Sequence, residues 1–255
     1  ENSYTIVWHW TAVDYCENVS TSETHITVVD STNPELQNVP ESVTIECSDD
    51  VPAVVLPTAT DNCAEDLEVS VTEETTPGDC DGESTITRIF RVYDNCGNSA
   101  MAVQYIYIQD TTAPVFEMVG ESVTIECDAE VPAAEWVAND NCSEVTVSVN
   151  ETSQEGDCYS TISRVYVAVD DCGNEAMAYQ TITIVDTTAP VVTGEFDIEK
   201  PCDDYEGVFI TYTDNCNDVI VDYSDEHVSG GCQGRIIRTY TVMDVCENMS
   251  TFQQF

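Results

Sequence analysis

The sequence predicts an all-β fold: an extended array of small immunoglobulin-like β-sandwich repeats, with about five strands and two disulfides per repeat. Three observations predict it. The chain of 255 residues repeats itself along its length, and its 13 cysteines are regularly spaced. Alternating Val, Ile, Thr and aromatic residues run between Gly, Pro and Asp-Asn turns, with no helix-length periodic stretch.

The repeat is plainest in the run from Ser84 to Asn98, which returns from Ser160 to Asn174, with weaker copies at Tyr4 to Asn18 and Arg235 to Asn248. A second element, Ser42-Val-Thr-Ile-Glu-Cys47, recurs from Ser122 to Cys127. A third, Asp110-Thr-Thr-Ala-Pro114, recurs unchanged from Asp186 to Pro190 and in degenerate form from Asp30 to Pro34. These markers divide the chain into 1–33, the C-terminal part of a truncated repeat; 34–113 and 114–189, two whole repeats; and 190–255, a repeat lacking its last strand. The natural chain is therefore expected to continue in both directions. In the first whole repeat, strands are expected near 41–47, 53–60, 67–75, 84–94 and 100–109. Ile86, Phe90 and Val92 share one face of the fourth, with Ile162, Tyr166 and Ala168 in register, and that face should be core. Arg88, Arg164 and Arg238 align on it and are expected to lay their stems on the core while the charge reaches a carboxylate.

With 49 Asp plus Glu against 6 Lys plus Arg, the formal charge is −43, which excludes nucleic acid and anionic membrane surface as partners. The three histidines and the lack of any Cys-x2-Cys pair argue against zinc, so the cysteines read as disulfides of an extracellular setting. No stretch is long and apolar enough to span a membrane. No Ser/His/Asp set is apparent, and the carboxylates recur with the fold where an active site would break the symmetry, so the chain is not read as an enzyme.

If successive strands are antiparallel, each cysteine's end of the sandwich can be counted. Cys47 and Cys80 fall at one end, Cys63 and Cys96 at the other. Bridged α-carbons lie within about 7 Å, whereas strands of this length separate the ends by roughly 25–30 Å, so sequence neighbours cannot pair. The expected bonds are Cys47–Cys80, Cys63–Cys96, Cys127–Cys158, Cys142–Cys172, Cys202–Cys232 and Cys216–Cys246. The same count aims the Asp110 linker of one repeat at two polar turns of the next, around Asp140-Asn141 and Asp170 to Asn174. Clustered carboxylate and amide oxygens suit calcium in a structural role. The expected ligand sets are Asp110 with Asp140, Asn141, Asp170 and Asn174; Asp30 with Asp61, Asn62, Asp94 and Asn98; and Asp186 with Asp214, Asn215, Asp244 and Asn248. Asp and Asn also favour such turns through their own backbone hydrogen bonds, without any metal.

The pattern of Asp-Asn-Cys, Gly-Asp-Cys, Asp-x-Cys-Gly-Asn and Asp-Thr-Thr-Ala-Pro resembles the HYR-like, immunoglobulin-fold repeats of very large secreted proteins of Bacteroidetes, including gliding-motility adhesins of the SprB kind. The likeness covers nearly the whole chain. It departs at Cys246-Glu247-Asn248 and Cys16-Glu17-Asn18, where Glu replaces the turn glycine. The resemblance implies export by the type IX route, anchoring at the cell surface, and O-glycosylation at Thr111, Thr187 and Ser31. It also implies an adhesin stalk whose partners are a surface ligand, a polysaccharide or other cells, with lateral self-association of fibres. A carbohydrate-binding module is the alternative. That reading needs an aromatic platform, and the three tryptophans, Trp8, Trp10 and Trp136, do not recur in register.

Overall fold

The computed structural model describes residues 4–199, 210–230 and 234–255, and these form strands and connecting loops without a helix. They pack into two compact units. The first is Glu1–Pro114 with Asp140–Thr146 and Val169–Asn174; the second is Val115–Asn139 with Val147–Ala168 and Glu175–Phe255. The first unit thus takes two loops from the stretch of chain that follows it.

In the first unit β1 (Tyr4–Val13) and β2 (Val19–Val28) form an antiparallel hairpin. β3 (Glu35–Gln37) pairs with β5 (Thr58–Thr60). β4 (Val43–Glu46), β6 (Val69–Pro77), β7 (Ser84–Tyr93) and β8 (Ser99–Gln109) make a four-stranded sheet in the order β4-β8-β7-β6. Six short strands therefore stand where five were expected. The first expected strand, 41–47, is β4, and the strand not expected is β3 before it: Asn38 takes a left-handed φ of 56° and Pro40 lacks a donor, so the chain leaves β3 and joins the other sheet as β4, parallel to β8. The expected strand at 53–60 shrinks to β5, which starts just after Pro57, a residue without a ladder donor.

The second unit holds the same pattern. β9 (Val115–Val119) pairs with β11 (Trp136–Asn139), beside a sheet of β10 (Val123–Glu126), β14 (Glu175–Val185), β13 (Tyr159–Asp170) and β12 (Val145–Gln154), in that order. β15 (Val191–Thr193) pairs with β16 (Thr211–Thr213), and β17 (Val219–Val228), β18 (Arg235–Asp244) and β19 (Met249–Gln254) form a third sheet. Face-to-face packing of the sheets is direct: Phe116 on β9 and Trp136 on β11 meet Tyr166 on β13 at centroid separations of 6.4 and 6.0 Å. Phe90, Val92 and Ile106, and their counterparts Tyr166, Ala168 and Ile182, are fully buried, each large side chain contributing about 1.5–3 kcal/mol.

Trp8 and Trp10 occupy the hairpin positions that Arg88 and Phe90 occupy in β7, and both of those residues are buried. The tryptophans are half exposed, at 50% and 55%, with rings 5.9 Å apart. Their register places this pair on the face that is core in the whole repeats.

The arginines do what their register implies. Arg88 is buried, its Nε donating to Glu73 at 2.5 Å and its Nη2 to the Pro52 carbonyl at 2.7 Å. Arg164 repeats this with Glu151 and the Pro132 carbonyl, at 2.7 and 2.8 Å. The glutamines facing them across the ladder are a recurring feature that the sequence reading missed. Gln104, Gln180 and Gln254 are buried, and each donates Nε2 to a main-chain carbonyl, of Glu41, Glu121 and Glu195 respectively, at 2.8–2.9 Å.

In the last sheet Arg238 makes a two-pronged bond to Asp225, at 2.6 and 2.7 Å, and lies over the Tyr223 ring. This bond holds the Asp225 carboxyl below the usual carboxylate range. A depressed carboxylate pKa gives stability that is present above the unfolded value, near 3.9, and is lost as pH falls through the folded value. Arg238→Met should therefore cost roughly 1 kcal/mol at neutral pH and narrow to nothing in acid. Denaturant melts from pH 6 to pH 2 check this, and a constant difference across that range would contradict it.

The disulfides differ from expectation. Cys47 is bonded to Cys142, Cys80 to Cys172 and Cys127 to Cys216, with α-carbons 5.9, 5.2 and 5.9 Å apart. The expected Cys47–Cys80, Cys63–Cys96, Cys127–Cys158, Cys142–Cys172 and Cys216–Cys246 bonds are not formed; Cys202–Cys232 lies outside the described residues. The reason is geometric. Counting strand ends sorts cysteines by end, but the end of one repeat abuts the opposite end of the next, and the bonds cross that boundary. Each of the three joins consecutive repeats in the first or in the second unit.

Candidate functional site

At two of the three places the acidic positions converge as a cluster built from a linker and two turns, and at the third Asp214 does not join Asp186 and Asp244. In the first unit Asp110, the residue after β8, meets Asp140 and Asp170, with one oxygen of each within 4.8 Å of the others. The turns explain their own shape. Asp140 Oδ1 accepts the amides of Cys142 and Ser143, at 2.8 and 3.2 Å, an Asx turn that fixes the carboxylate. Asp170 Oδ1 accepts the Asn174 amide and its Oδ2 the Asn174 Nδ2, both at 2.8 Å. Asn174 Nδ2 also reaches the Asp110 carbonyl at 3.1 Å, so this side chain clamps the linker to the turn.

The same pattern surrounds Asp30, Asp61 and Asp94, also in the first unit. Asp61 Oδ1 accepts the Cys63 and Ala64 amides at 2.9 Å, and Asn98 Nδ2 bridges Asp94 Oδ2 and the Asp30 carbonyl at 2.6 and 3.3 Å. In the second unit Asp214 takes the Asp61 role, and Asn248 bridges Asp244 and the Asp186 carbonyl. Here Asp186 and Asp244 converge with Cys246. Asn98, Asn174 and Asn248 thus act as amide donors within the protein. Of the other amides named from the sequence, Asn62 and Asn215 direct Nδ2 at the sulfurs of Cys63 and Cys127, and Asn141 lines a cleft with Cys47, Cys142 and Asp81.

Local turn bonding leaves part of each cluster unexplained. Asp30 Oδ2, Asp61 Oδ2, Asp140 Oδ2 and Asp214 Oδ2 are buried carboxylate oxygens without a hydrogen-bond partner among the described residues. Withholding an ionised oxygen from water without a donor is costly. Burial, and then the charges of Asp140 and Asp170, push the Asp110 carboxyl up. By contrast Asp94, hydrogen-bonded by Asn98 and by the amides of its own turn, is held down despite its burial.

Two contacts at the clusters escaped the sequence reading. Ser143 Oγ donates to Asp110 at 3.3 Å, and Asn217 Nδ2 to Asp186 at 2.5 Å, both from the position after the turn cysteine. The second is Glu46, last residue of β4, which accepts the Thr111 hydroxyl, the Thr111 amide and the Thr112 hydroxyl; Glu126 receives the Thr187 hydroxyl and amide. The Thr111 bonds hold the Glu46 carboxyl low. The two repeated motifs, Val-Thr-Ile-Glu-Cys and Asp-Thr-Thr, are therefore one lock. Sugar on Thr111 or Thr187 would replace a hydroxyl donor in it.

Residues 36–108 match the family described as "HYR-like domain with 4 cysteines". Over longer stretches the chain is similar to hyalin of the sea urchin Lytechinus variegatus, 34% identical over 186 residues, which is 66% of this chain and 34% of that protein. It is also similar to hyalin of Strongylocentrotus purpuratus, 31% identical over 203 residues, 72% of this chain and 16% of that protein. The chain thus spans about a third or less of the curated relatives it matches. Among solved structures it resembles protocadherin gamma B7 extracellular cadherin domains 1–4, at 12% identity and TM-score 0.36, covering 99% of this chain and 91% of that one. An overlap this loose bears on neither fold nor function.

Proposed function

We propose that the chain is a stalk segment of a large extracellular, surface-attached adhesive protein, stiffened by calcium held where one repeat meets the next. The observation that carries this reading is the convergence of Asp110, Asp140 and Asp170 around a buried Asp140 oxygen that no described residue satisfies. A hard divalent cation suits such oxygens, and the ligands would be Asp110, Asp140 and Asp170, with Asp30, Asp61 and Asp94, and Asp186, Asp214 and Asp244, in the corresponding places. Likeness to HYR-like repeats and to hyalin supports an extracellular repeat protein. The recurrence of the same cluster supports a repeated joint over a single reactive centre. The burial of the Trp8 and Trp10 equivalents counts against a carbohydrate-binding module.

Equilibrium dialysis of the oxidised chain against calcium tests it. About three ions should bind per chain, one per cluster, at millimolar calcium or below, and Asp110→Asn should remove one of them. Failure to retain calcium at millimolar concentration would end the calcium reading and leave the clusters as turns.

A further inference from the structure

We propose that Cys158 and Cys246 are joined as a disulfide, the fourth rung of a covalent ladder that bonds consecutive repeats to one another and limits how far the oxidised chain can be stretched. The first support is register. Cys158 aligns with Cys80 and Cys246 with Cys172, and Cys80 is bonded to Cys172. The companion rung, Cys47–Cys142, has its own copy one repeat later in Cys127–Cys216. The second support is position. Cys158 Sγ donates to the Val245 carbonyl at 3.2 Å, and Cys246 Sγ to the Asp157 carbonyl at 3.8 Å, so each thiol lies against the residue preceding the other cysteine. Both belong to the second unit.

The bond forms by exchange with a disulfide donor of the oxidising compartment. One thiolate attacks the donor's disulfide to leave a mixed disulfide, and the second resolves it. One sulfur–sulfur bond is broken and one is made; the donor takes two electrons and departs as two thiols with the two protons.

The mechanical consequence follows from connectivity alone. Without disulfides the unravelled chain of 255 residues extends to about 900 Å, at about 3.5 Å per residue. With the three rungs described above, the shortest covalent path runs from residue 1 to Cys47, across to Cys142, back to Cys127, across to Cys216 and on to 255. That path holds about 100 residues, or about 350 Å. Adding Cys158–Cys246 lets it run from Cys142 forward to Cys158 and across to Cys246, which leaves about 70 residues, or about 250 Å. Only the stretch between two rungs contributes per repeat, about 16 residues or about 55 Å, so complete unfolding lengthens a fibre built this way far less than an unbridged one. This inference rests on the sulfur positions and not on calcium, so either can fail without the other.

Two measurements on the whole oxidised chain decide it. After alkylation of free thiols, digestion without reductant by a protease that cuts before aspartate, which separates Cys158 from Cys172 and Cys246 from Cys232, should release a Cys158 peptide joined to a Cys246 peptide. Alkylated Cys158 and Cys246 in most molecules, or Cys158 joined to Cys127, overturns the proposal. Single-molecule stretching should halt near 250 Å, with Cys158→Ser releasing the chain to about 350 Å and reductant to about 900 Å. A wild-type limit already at about 350 Å means that the fourth rung is absent.

Discussion

Replacing Cys47 by Ser is expected to lower the free energy of unfolding by about 4–5 kcal/mol, because the Cys47–Cys142 bond closes a loop whose ends are 95 residues apart. In a chain of this size that corresponds to a fall of roughly 10–15 °C in the unfolding midpoint. Cys142→Ser should cost the same, and the double variant no more than either single one, since both remove one bond. Cys47→Ser with Cys80→Ser should cost nearly twice as much, because two separate bonds are lost. Pairing within a repeat makes the opposite forecast: Cys47 with Cys80 would be the non-additive pair. Thermal melts of these variants therefore read the connectivity without resolving a single sulfur. Additive losses for Cys47 and Cys142 would contradict the bond.

The comparison shows which information resides in one repeat and which in the relation between repeats. The core face of β7, with Phe90 and Val92, was legible because a strand alternates sides and the repeat supplies a second copy for checking, Tyr166 and Ala168. The end of the sandwich at which each cysteine lies was legible for the same reason. Its partner was not: Cys47 has Cys80 at its own end and Cys142 across the boundary, and strand counting weighs both alike. The count that aimed the Asp110 linker at the next repeat already contained the answer for sulfur. At the acidic clusters the residue types were legible but their division of labour was not. Asn98 and Asn174 have both an oxygen and a nitrogen to offer, and only the placed backbone shows the nitrogen turned to the carboxylates. Gln104 and Gln180 were invisible because a glutamine in an otherwise alternating strand reads as solvent-facing, and only its aligned place opposite a buried arginine sets it apart.

Calcium is expected to reverse the stability order of the wild-type chain and Asp110→Asn. Without divalent ions, Asp110 is a buried carboxylate facing Asp140 and Asp170, and both burial and their charge disfavour its ionised form. A carboxyl whose folded pKa is raised contributes stability at low pH that is lost as pH rises through the folded value, so at neutral pH its charge weakens the fold. Asparagine has nearly the same shape and no charge, so in EDTA at pH 7 the variant should melt above the wild type, by about 1–3 kcal/mol equivalent. With calcium at about 100 times its dissociation constant, each occupied site adds about 2.7 kcal/mol to the wild type, and the variant forgoes one such increment. A purely local turn predicts no calcium dependence in either protein, and a diffuse screening of the −43 charge predicts equal gains in both. Melts of the two proteins in EDTA and in calcium separate the three cases: crossing of the two midpoints assigns the ion to this cluster, parallel rises assign it to the surface at large, and no rise removes it.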